Sequence, residues 1–110
     1  MATYMVQFKY TEEGLKGLVK DGGSKRREAT ERLVKSLGGK LVEYYFAFGE
    51  YDGILIMEGI DNVEATAAAL IGAASGAVQT KTTVLLTPKE IDKAVEKAGQ
   101  KSGDYRPPGA

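Results

Sequence analysis

The sequence predicts a single α+β domain, with strands and helices in the order β-α-β-β-α-β-α. Three observations support this prediction. The chain has 110 residues, the size of one domain. Apolar residues alternate with a period of two in four segments and recur at helical spacing in three others. Two of the strand segments follow each other across a short turn, which is typical of a hairpin.

Residues 3–10, TYMVQFKY, form the first predicted strand. One face of this strand carries Tyr4, Val6, Phe8 and Tyr10, and the other carries Thr3, Met5, Gln7 and Lys9. Residues 11–23 are expected to be an irregular, partly helical loop. Thr11 is a suitable helix cap, but Gly14 and Gly17 weaken a helix at this place.

The first predicted helix covers residues 24–37, and the glycine pair 38–39 ends it. Strands over residues 41–48 and 53–59 then form the hairpin. Regular alternation places Val42, Tyr44, Phe46 and Phe48 on one face of the first of these strands, opposite Leu41, Tyr45 and Ala47. The same rule groups Ile54, Ile56 and Ile60 on one face of the second strand, opposite Leu55 and Met57.

The second predicted helix begins at Asp61, which forms a capping-box pair with Glu64. Its many alanines and glycines allow the backbone to lie close to a sheet. The fourth strand covers residues 78–86. Thr87, with Pro88 after it, then predicts the start of a third helix.

The buried stripe of that third helix is expected to be Ile91, Ala94, Val95 and Ala98. Gly99 is expected to end the helix. We therefore place one domain at residues 1–99 and a flexible C-terminal tail at residues 100–110.

The first six elements match the ferredoxin-like βαββαβ arrangement, in which two helices cover one face of a four-stranded antiparallel sheet. The third helix is an addition to it. In a monomer, the sheet face that the helices leave uncovered is expected to be polar. In this sequence, both faces of the hairpin strands are apolar or aromatic. We therefore expect a second copy of the chain to cover this face in a symmetric homodimer, or in a larger even-numbered oligomer.

The composition excludes several kinds of chemistry. The chain contains no Cys and no His, so it has no disulfides, no thiol nucleophile and none of the usual nitrogen or sulfur ligands of transition metals. We expect no metal site and no cofactor. Any catalysis has to use carboxylates, Tyr, Lys, Arg, Ser or Thr.

The charge and the apolar segments bear on partners and location. A net charge of zero favours neither nucleic acid nor an anionic membrane as a partner. The third strand, GILIMEG, lacks the stacking aromatic and basic residues of an RNA-recognition strand. No apolar run approaches the roughly 20 residues that span a bilayer, and the N-terminus carries no charged leader. We expect a cytoplasmic protein.

Three segments resemble the GYD family: ATYMVQFKYTEEGLKGL near the start, KLVEYYFAFGEYDGILIMEG after the glycine pair, and TKTTVLLTPKE near the end. The family takes its name from a turn like Gly49-Glu50-Tyr51-Asp52, and the resemblance extends from residue 2 to about residue 95. It implies a dimeric α+β barrel, a class that includes small cofactor-independent monooxygenases and isomerases. It implies no particular activity.

The turn Gly49-Glu50-Tyr51-Asp52 is the first candidate site. Turn geometry alone favours Gly and Asp, with Asp52 accepting backbone N–H bonds and Tyr51 packing over the edge. In a catalytic interpretation, Glu50 and Asp52 are acid–base or cation-binding groups and Tyr51 is a donor beside them. The sequence leaves both interpretations open.

A pocket for a small apolar or aromatic molecule is the second candidate site, because apolar walls with a few hydroxyls bind such ligands. Its predicted lining is aromatic and consists of Tyr4, Phe8, Tyr10, Tyr44, Tyr45 and Phe46. The alternative is that these residues form a core and a dimer interface whose hydroxyls reach the rim.

Basic residues supply the third group of candidates. Lys25, Arg26 and Arg27 lie in the first turn of the helix over residues 24–37, where cations oppose the helix dipole. They are either solvated surface residues, an anion site, or partners of an acidic turn in a second subunit. Lys81, in the fourth strand, either points into the cleft or keeps a strand edge soluble.

Three hypotheses for function follow. The first is a dimer that binds a small apolar or aromatic molecule without transforming it. The second is a cofactor-independent isomerase or monooxygenase, with Glu50 or Asp52 as base and Tyr44 or Tyr51 positioning the substrate. The third is a structural or assembly module whose C-terminal tail and basic helix start contact proteins.

Overall fold

A computed structural model of the chain describes residues 2–110; Met1, the first residue of the predicted domain, lies outside the described part. The strands are β1 (Ala2–Tyr10), β2 (Lys40–Phe46), β3 (Gly53–Ile60) and β4 (Val78–Leu85). The helices are α1 (Glu12–Asp21), α2 (Gly23–Ser36), α3 (Asn62–Ala74) and α4 (Pro88–Lys101), and a 3₁₀ turn covers Ser102–Asp104.

The four strands form one antiparallel sheet in the order β2-β3-β1-β4. Helix α2 packs near β2 and α3 near β4, so the two helices share one face of the sheet. This arrangement confirms the predicted α+β, ferredoxin-like fold. Strand β2 ends at Phe46, two residues earlier than expected, and the Phe48 side chain is fully exposed.

The core lies between this face and the helices. Tyr4, Val6, Phe8 and Tyr10 are all buried there, which confirms the face predicted for β1. Buried residues from the neighbouring strands and helices complete the core: Leu41, Leu55, Met57, Ile60, Val34 and Ala65.

Two irregularities in the sheet change the predicted faces of β2 and β3. The β2–β3 register shifts between Leu41 and Glu43, so that Leu41 turns to the buried face beside Tyr44. The β1–β3 register shifts near Ile60, because Gly59 adopts a φ of 82° and is skipped in the pairing. The predictions that Leu41 lies opposite Tyr44, and that Ile60 shares a face with Ile56, were therefore wrong.

Residues 12–21 form a regular helix, α1, where a partly helical loop was expected. Thr11 caps it: the N–H of Gly14 donates to the Thr11 Oγ1 at 3.2 Å. Gly14 is buried, and a Cβ at this position would overlap the carbonyl oxygen of Ala77. Gly14 is thus needed for close packing between α1 and the residue before β4, and this contact outweighs its low helix propensity.

The predicted starts of α3 and α4 are confirmed. In α3, the N–H of Asp61 donates to the Glu64 carboxylate at 3.1 Å, and both halves of the capping box are present. In α4, the N–H of Thr87 donates to the Glu90 carboxylate at 3.0 Å, and the N–H of Glu90 donates to the Thr87 hydroxyl at 3.1 Å.

The remainder of α4 differs from the prediction. The helix continues through Gly99 to Lys101, and none of its residues is buried. Ile91 and Val95, in the expected buried stripe, are 45% and 65% exposed. Helix α4 extends away from the sheet, and the chain measures 58 × 32 × 23 Å. No helix of residues 2–110 combines the length and the apolar character needed to cross a membrane.

Candidate functional site

Four aromatic rings contact one another on the helix-covered face of the sheet. The Phe8 ring is central: its centroid lies 5.3 Å from that of Tyr44 and 5.6 Å from that of Tyr10. Phe46 packs against Phe8 at 6.0 Å and against Tyr44 at 5.4 Å. Three of these four pairs meet edge to face, an arrangement that the charge distribution of aromatic rings favours. The cluster therefore forms a well-defined aromatic wall.

A cavity of about 120 Å³ lies between the sheet and the two helices. Its sheet side comprises Phe8, Tyr10 and Tyr44, apolar core residues of β1 and β3, and Thr80 and Thr82 of β4. Its helix side comprises Arg26, Thr30, Leu33 and Val34 from α2 and Ala65, Ala68, Ala69 and Gly72 from α3. Most of the lining is apolar.

The small residues of α3 explain why the cavity exists. Ala68, Ala69 and Gly72 face the sheet with at most one side-chain carbon each. The bulky residues Leu70 and Ile71 of the same helix are more than half exposed. A helix with its small side chains directed inward lies near the sheet without filling the space above it.

Polar groups meet at one end of the cavity. Arg26 and Thr30 lie four residues apart on α2, hence on one helix face, and the Thr30 hydroxyl donates to the Arg26 carbonyl at 3.1 Å. Burial raises the pKa of Tyr44 far above its ordinary value, and the Tyr10 hydroxyl raises it further. Thr30 and Arg26 oppose this rise. Tyr44 is therefore a neutral hydroxyl near a guanidinium at physiological pH.

An outer groove of about 300 Å³ adjoins the cavity between α1, α2 and α3. The two spaces share Tyr10, Arg26, Thr30, Leu33, Gly72 and Val78 in their linings. The carboxylates of Glu13 and Asp21 line the outer groove but not the inner cavity. Arg26 thus lies at the boundary between the inner cavity and the outer groove.

The sequence profile of the GYD domain matches residues 4–95, which include β2 to β4, α1 to α3 and all of β1 except Ala2 and Thr3. The chain belongs to the GYD domain family. Comparisons with curated proteins and with solved structures give no match.

The GYD domain brings some of the predicted binding residues together. Phe8, Tyr44 and Arg26 line the cavity, and Phe46 packs on two of the lining rings while its own ring is 42% exposed. Ligand binding by these four residues stays a prediction.

The other predicted binding residues lie elsewhere in the GYD domain. Tyr4 is buried, and its hydroxyl donates to Asn62 Oδ1 at 2.6 Å, away from the cavity. Arg27 Nη1 lies 3.6 Å from Glu31 Oε2 on the surface of α2. Lys81 pairs with Gln7 on the sheet face that no helix covers, and Tyr45 lies on the same face.

Asp52 holds the turn Gly49-Glu50-Tyr51-Asp52 in place. The Tyr10 N–H donates to Asp52 Oδ2, and the Asp52 N–H donates to the Phe8 carbonyl, both at 2.8 Å. The Asp52 carbonyl accepts from the Ala47 N–H, also at 2.8 Å. These bonds attach the hairpin turn to the end of β1.

The other two turn candidates lie at a surface depression of the GYD domain. Glu50 is exposed and Tyr51 half-buried, and they line a depression of about 260 Å³ with Lys9, Gln79 and Thr80. Within residues 2–110, no cluster of three or more potential metal-ligating carboxylates occurs.

The prediction from sequence did not include Thr30, Thr80 or Thr82 in the cavity. The strand register places two of these threonines, and the helical repeat places the third. Thr80 and Thr82 pair with Phe8 and Val6 across β1 and β4, so they lie on the helix-covered face, at its exposed β4 edge. Thr30 follows Arg26 by one helical turn.

Proposed function

We propose that this GYD-domain chain binds a small apolar or aromatic molecule in the cavity beneath α3. The supporting observation is a cavity with apolar walls and a few polar groups at one end, which is the usual design of small-molecule sites. The volume supports a small ligand: an apolar cavity of about 150 Å³ holds benzene. At about 120 Å³, the space corresponds to one ring or a short branched chain.

The enzymatic alternative has less support. Neither Glu50 nor Asp52 lines the cavity, and one Asp52 carboxylate oxygen is already engaged by the Tyr10 N–H. A general base has to lie within hydrogen-bonding reach of the proton it removes. If turnover is found, Glu50→Gln and Asp52→Asn distinguish a catalytic turn from a structural one.

We also propose that a second copy of the chain covers the open face of the sheet. Met5, Ile54 and Ile56 are at its centre, half-buried and facing away from both covering helices. Glu43 of β2 and Lys81 of β4 lie on opposite edges of this face. A two-fold axis along the strands sets the β2 edge of one copy over the β4 edge of the other, so that these opposite charges approach each other.

The ligand-binding proposal is tested with a variant that fills the cavity. Ala68→Leu adds three carbons to a lining residue, whereas Ala73→Leu adds them to an exposed residue of the same helix. Toluene, as a neutral aromatic probe, is expected to bind the wild-type chain and Ala73→Leu but not Ala68→Leu, as read from NMR chemical-shift titrations. Native mass spectrometry of freshly purified protein then shows whether an endogenous molecule is retained.

The stability of Ala68→Leu is a second readout. Leu at this position is expected to fit without loss of stability if the space is empty. If protein atoms already fill this space, the added carbons overpack it and lower the free energy of unfolding by about 1–3 kcal/mol. A loss of that size, or toluene binding to Ala68→Leu as tightly as to the wild type, contradicts the proposal.

A further inference from the structure

Arg26 is a half-buried cation that borders both the inner cavity and the outer groove. Among residues 2–110, no carboxylate lies within ion-pair distance of its guanidinium. Its neighbour Arg27, by contrast, pairs with Glu31. Partly desolvating a charge costs free energy that a counter-charge normally offsets. A bound anion would supply that counter-charge.

The charges around Arg26 direct such an anion to the inner cavity. Glu13 and Asp21 line the outer groove, where they repel a negative group. Arg26 is the only charged residue in the described lining of the inner cavity. An anion there meets one positive charge and no carboxylate.

Tyr44 adds a hydrogen-bond donor beside this charge. Burial raises the pKa of its hydroxyl, so the group keeps its proton at physiological pH and does not add a negative charge near Arg26. The ring of Tyr44 packs on that of Phe8, which extends the aromatic wall directly from the polar end of the cavity.

We infer that the cavity takes a small aromatic carboxylic acid, with its ring on the Phe8–Tyr44 wall and its carboxylate on the Arg26 guanidinium. This inference rests on the proposed function and narrows the ligand class. A guanidinium binds a carboxylate through two parallel N–H bonds, which is a stronger and more directional contact than a lysine provides. Apart from Arg26, the described lining is uncharged and mostly apolar, which suits an aromatic ring but not a second charged group.

The test compares benzoate with benzamide, which has the same ring and a similar size but no charge. Dissociation constants are measured by NMR titration for the wild-type chain, Arg26→Gln, Arg26→Lys and Arg27→Gln. We expect the wild-type chain to bind benzoate at least about tenfold more tightly than benzamide, as charge-assisted hydrogen bonds predict. Arg26→Gln is expected to remove most of this ratio, Arg26→Lys to retain part of it, and Arg27→Gln to retain all of it.

The outcomes separate this inference from the proposed function. Equal affinity for benzoate and benzamide, or an unchanged ratio in Arg26→Gln, overturns the carboxylate assignment and leaves aromatic binding intact. Benzoate binding that survives in Ala68→Leu places the anion outside the cavity and also overturns the inference. If benzoate, benzamide and toluene all fail to bind, both proposals are overturned.

Discussion

At the residue scale, Asp52 shows how one side chain joins distant parts of the chain. Its carboxylate accepts the backbone N–H of Tyr10, which is 42 residues away in sequence. Its own N–H donates to the Phe8 carbonyl. The side-chain bond satisfies a backbone donor next to the buried ring of Tyr10, and an unsatisfied buried donor carries a large cost.

We therefore expect Asp52→Ala to lower the free energy of unfolding by about 1–3 kcal/mol, since the Tyr10 N–H loses its acceptor. Asp52→Asn keeps a carbonyl oxygen at the same place and is expected to lose less. Urea denaturation measures both. Glu50→Ala, at an exposed position of the same turn, is the control and is expected to change stability by no more than about 0.5 kcal/mol. Equal stability of Asp52→Ala and Glu50→Ala would show that the bond contributes nothing.

Tyr44 predicts how stability depends on pH in the alkaline range. Burial raises its pKa above the value of about 10 that tyrosine has in an unfolded chain. Between these two pKa values the unfolded chain loses the proton and the folded chain keeps it, so stability falls as the pH rises above about 10. Tyr44→Phe is expected to reduce this slope.

The measurement is urea denaturation at neutral and alkaline pH, with each variant compared with its own stability at neutral pH. Tyr4 and Tyr45 also have raised pKa values, so part of the slope remains in Tyr44→Phe. Tyr105→Phe, in the exposed C-terminal segment, is the matched control for the removal of one tyrosine hydroxyl. If the stability of Tyr44→Phe falls with rising pH as steeply as that of the wild type, Tyr44 does not contribute to the loss of stability in the alkaline range.

At the element scale, α1 and α3 both depend on the absence of large side chains. In α1, Gly14 lies directly against the Ala77 carbonyl and the Tyr10 ring. In α3, Ala68 and Ala69 leave the space that forms the cavity. Small residues thus have two different effects here: one allows close contact, and the others keep a volume open.

The two glycines of α1 provide a matched pair of variants. Gly14→Ala is expected to destabilise the chain by about 1–3 kcal/mol, because its Cβ would overlap backbone that cannot move without shifting α1. Gly17→Ala is expected to stabilise it by about 0.5–1 kcal/mol, because no atom lies within 4 Å of a Cβ built there and Ala is the better helix former. Urea denaturation of both variants should give opposite signs, and the same sign for both would refute the packing argument.

At the scale of the whole molecule, two apolar surfaces are left uncovered by the rest of residues 2–110. One is the open sheet face around Met5, Ile54 and Ile56, and the other is the α4 stripe that includes Ile91 and Val95. Large exposed apolar areas are uncommon on monomers and usually mark an interface. Our dimer proposal accounts for the first of these two surfaces.

Ile56→Lys is expected to convert the dimer to a monomer with an intact fold, because the charge would be desolvated at the centre of the interface. Light scattering after gel filtration measures the mass, and circular dichroism checks the fold. Thr66→Lys, at an exposed position on α3, is the control and should remain dimeric. A wild-type chain that is monomeric at micromolar concentration would refute the assembly.

A charge exchange tests the proposed two-fold arrangement. Glu43→Lys alone is expected to weaken the dimer, because it places a second positive charge opposite Lys81 of the other copy. Combining Glu43→Lys with Lys81→Glu is expected to restore it, which sedimentation velocity at several concentrations measures. If the double variant is as weak as the sum of the single ones, the two residues do not meet in the dimer.

The candidate site was only partly accessible from the sequence. Alternation along residues 3–10 grouped Phe8 with Val6 and Tyr10 on one face of β1, and Tyr44 and Arg26 were recognised by residue type. Thr30, Thr80 and Thr82 were not, because their position depends on the β1–β4 register and on the packing of α2, neither of which is a local property. For Lys81, the sequence left open whether the side chain points into the cleft or keeps a strand edge soluble, and the register places it on the sheet face opposite the cavity.

The amino-acid sequence by itself determined the ferredoxin-like order of elements, the buried face of β1 and the starts of α3 and α4. These features depend on alternation and capping, which involve neighbouring residues only. The tertiary structure alone decided the helical state of residues 12–21, the faces of Leu41 and Ile60, and the exposure of α4. Each of these depends on contacts between segments distant in sequence: a glycine against a carbonyl, a register shift between two strands, or the absence of a surface for a helix to cover.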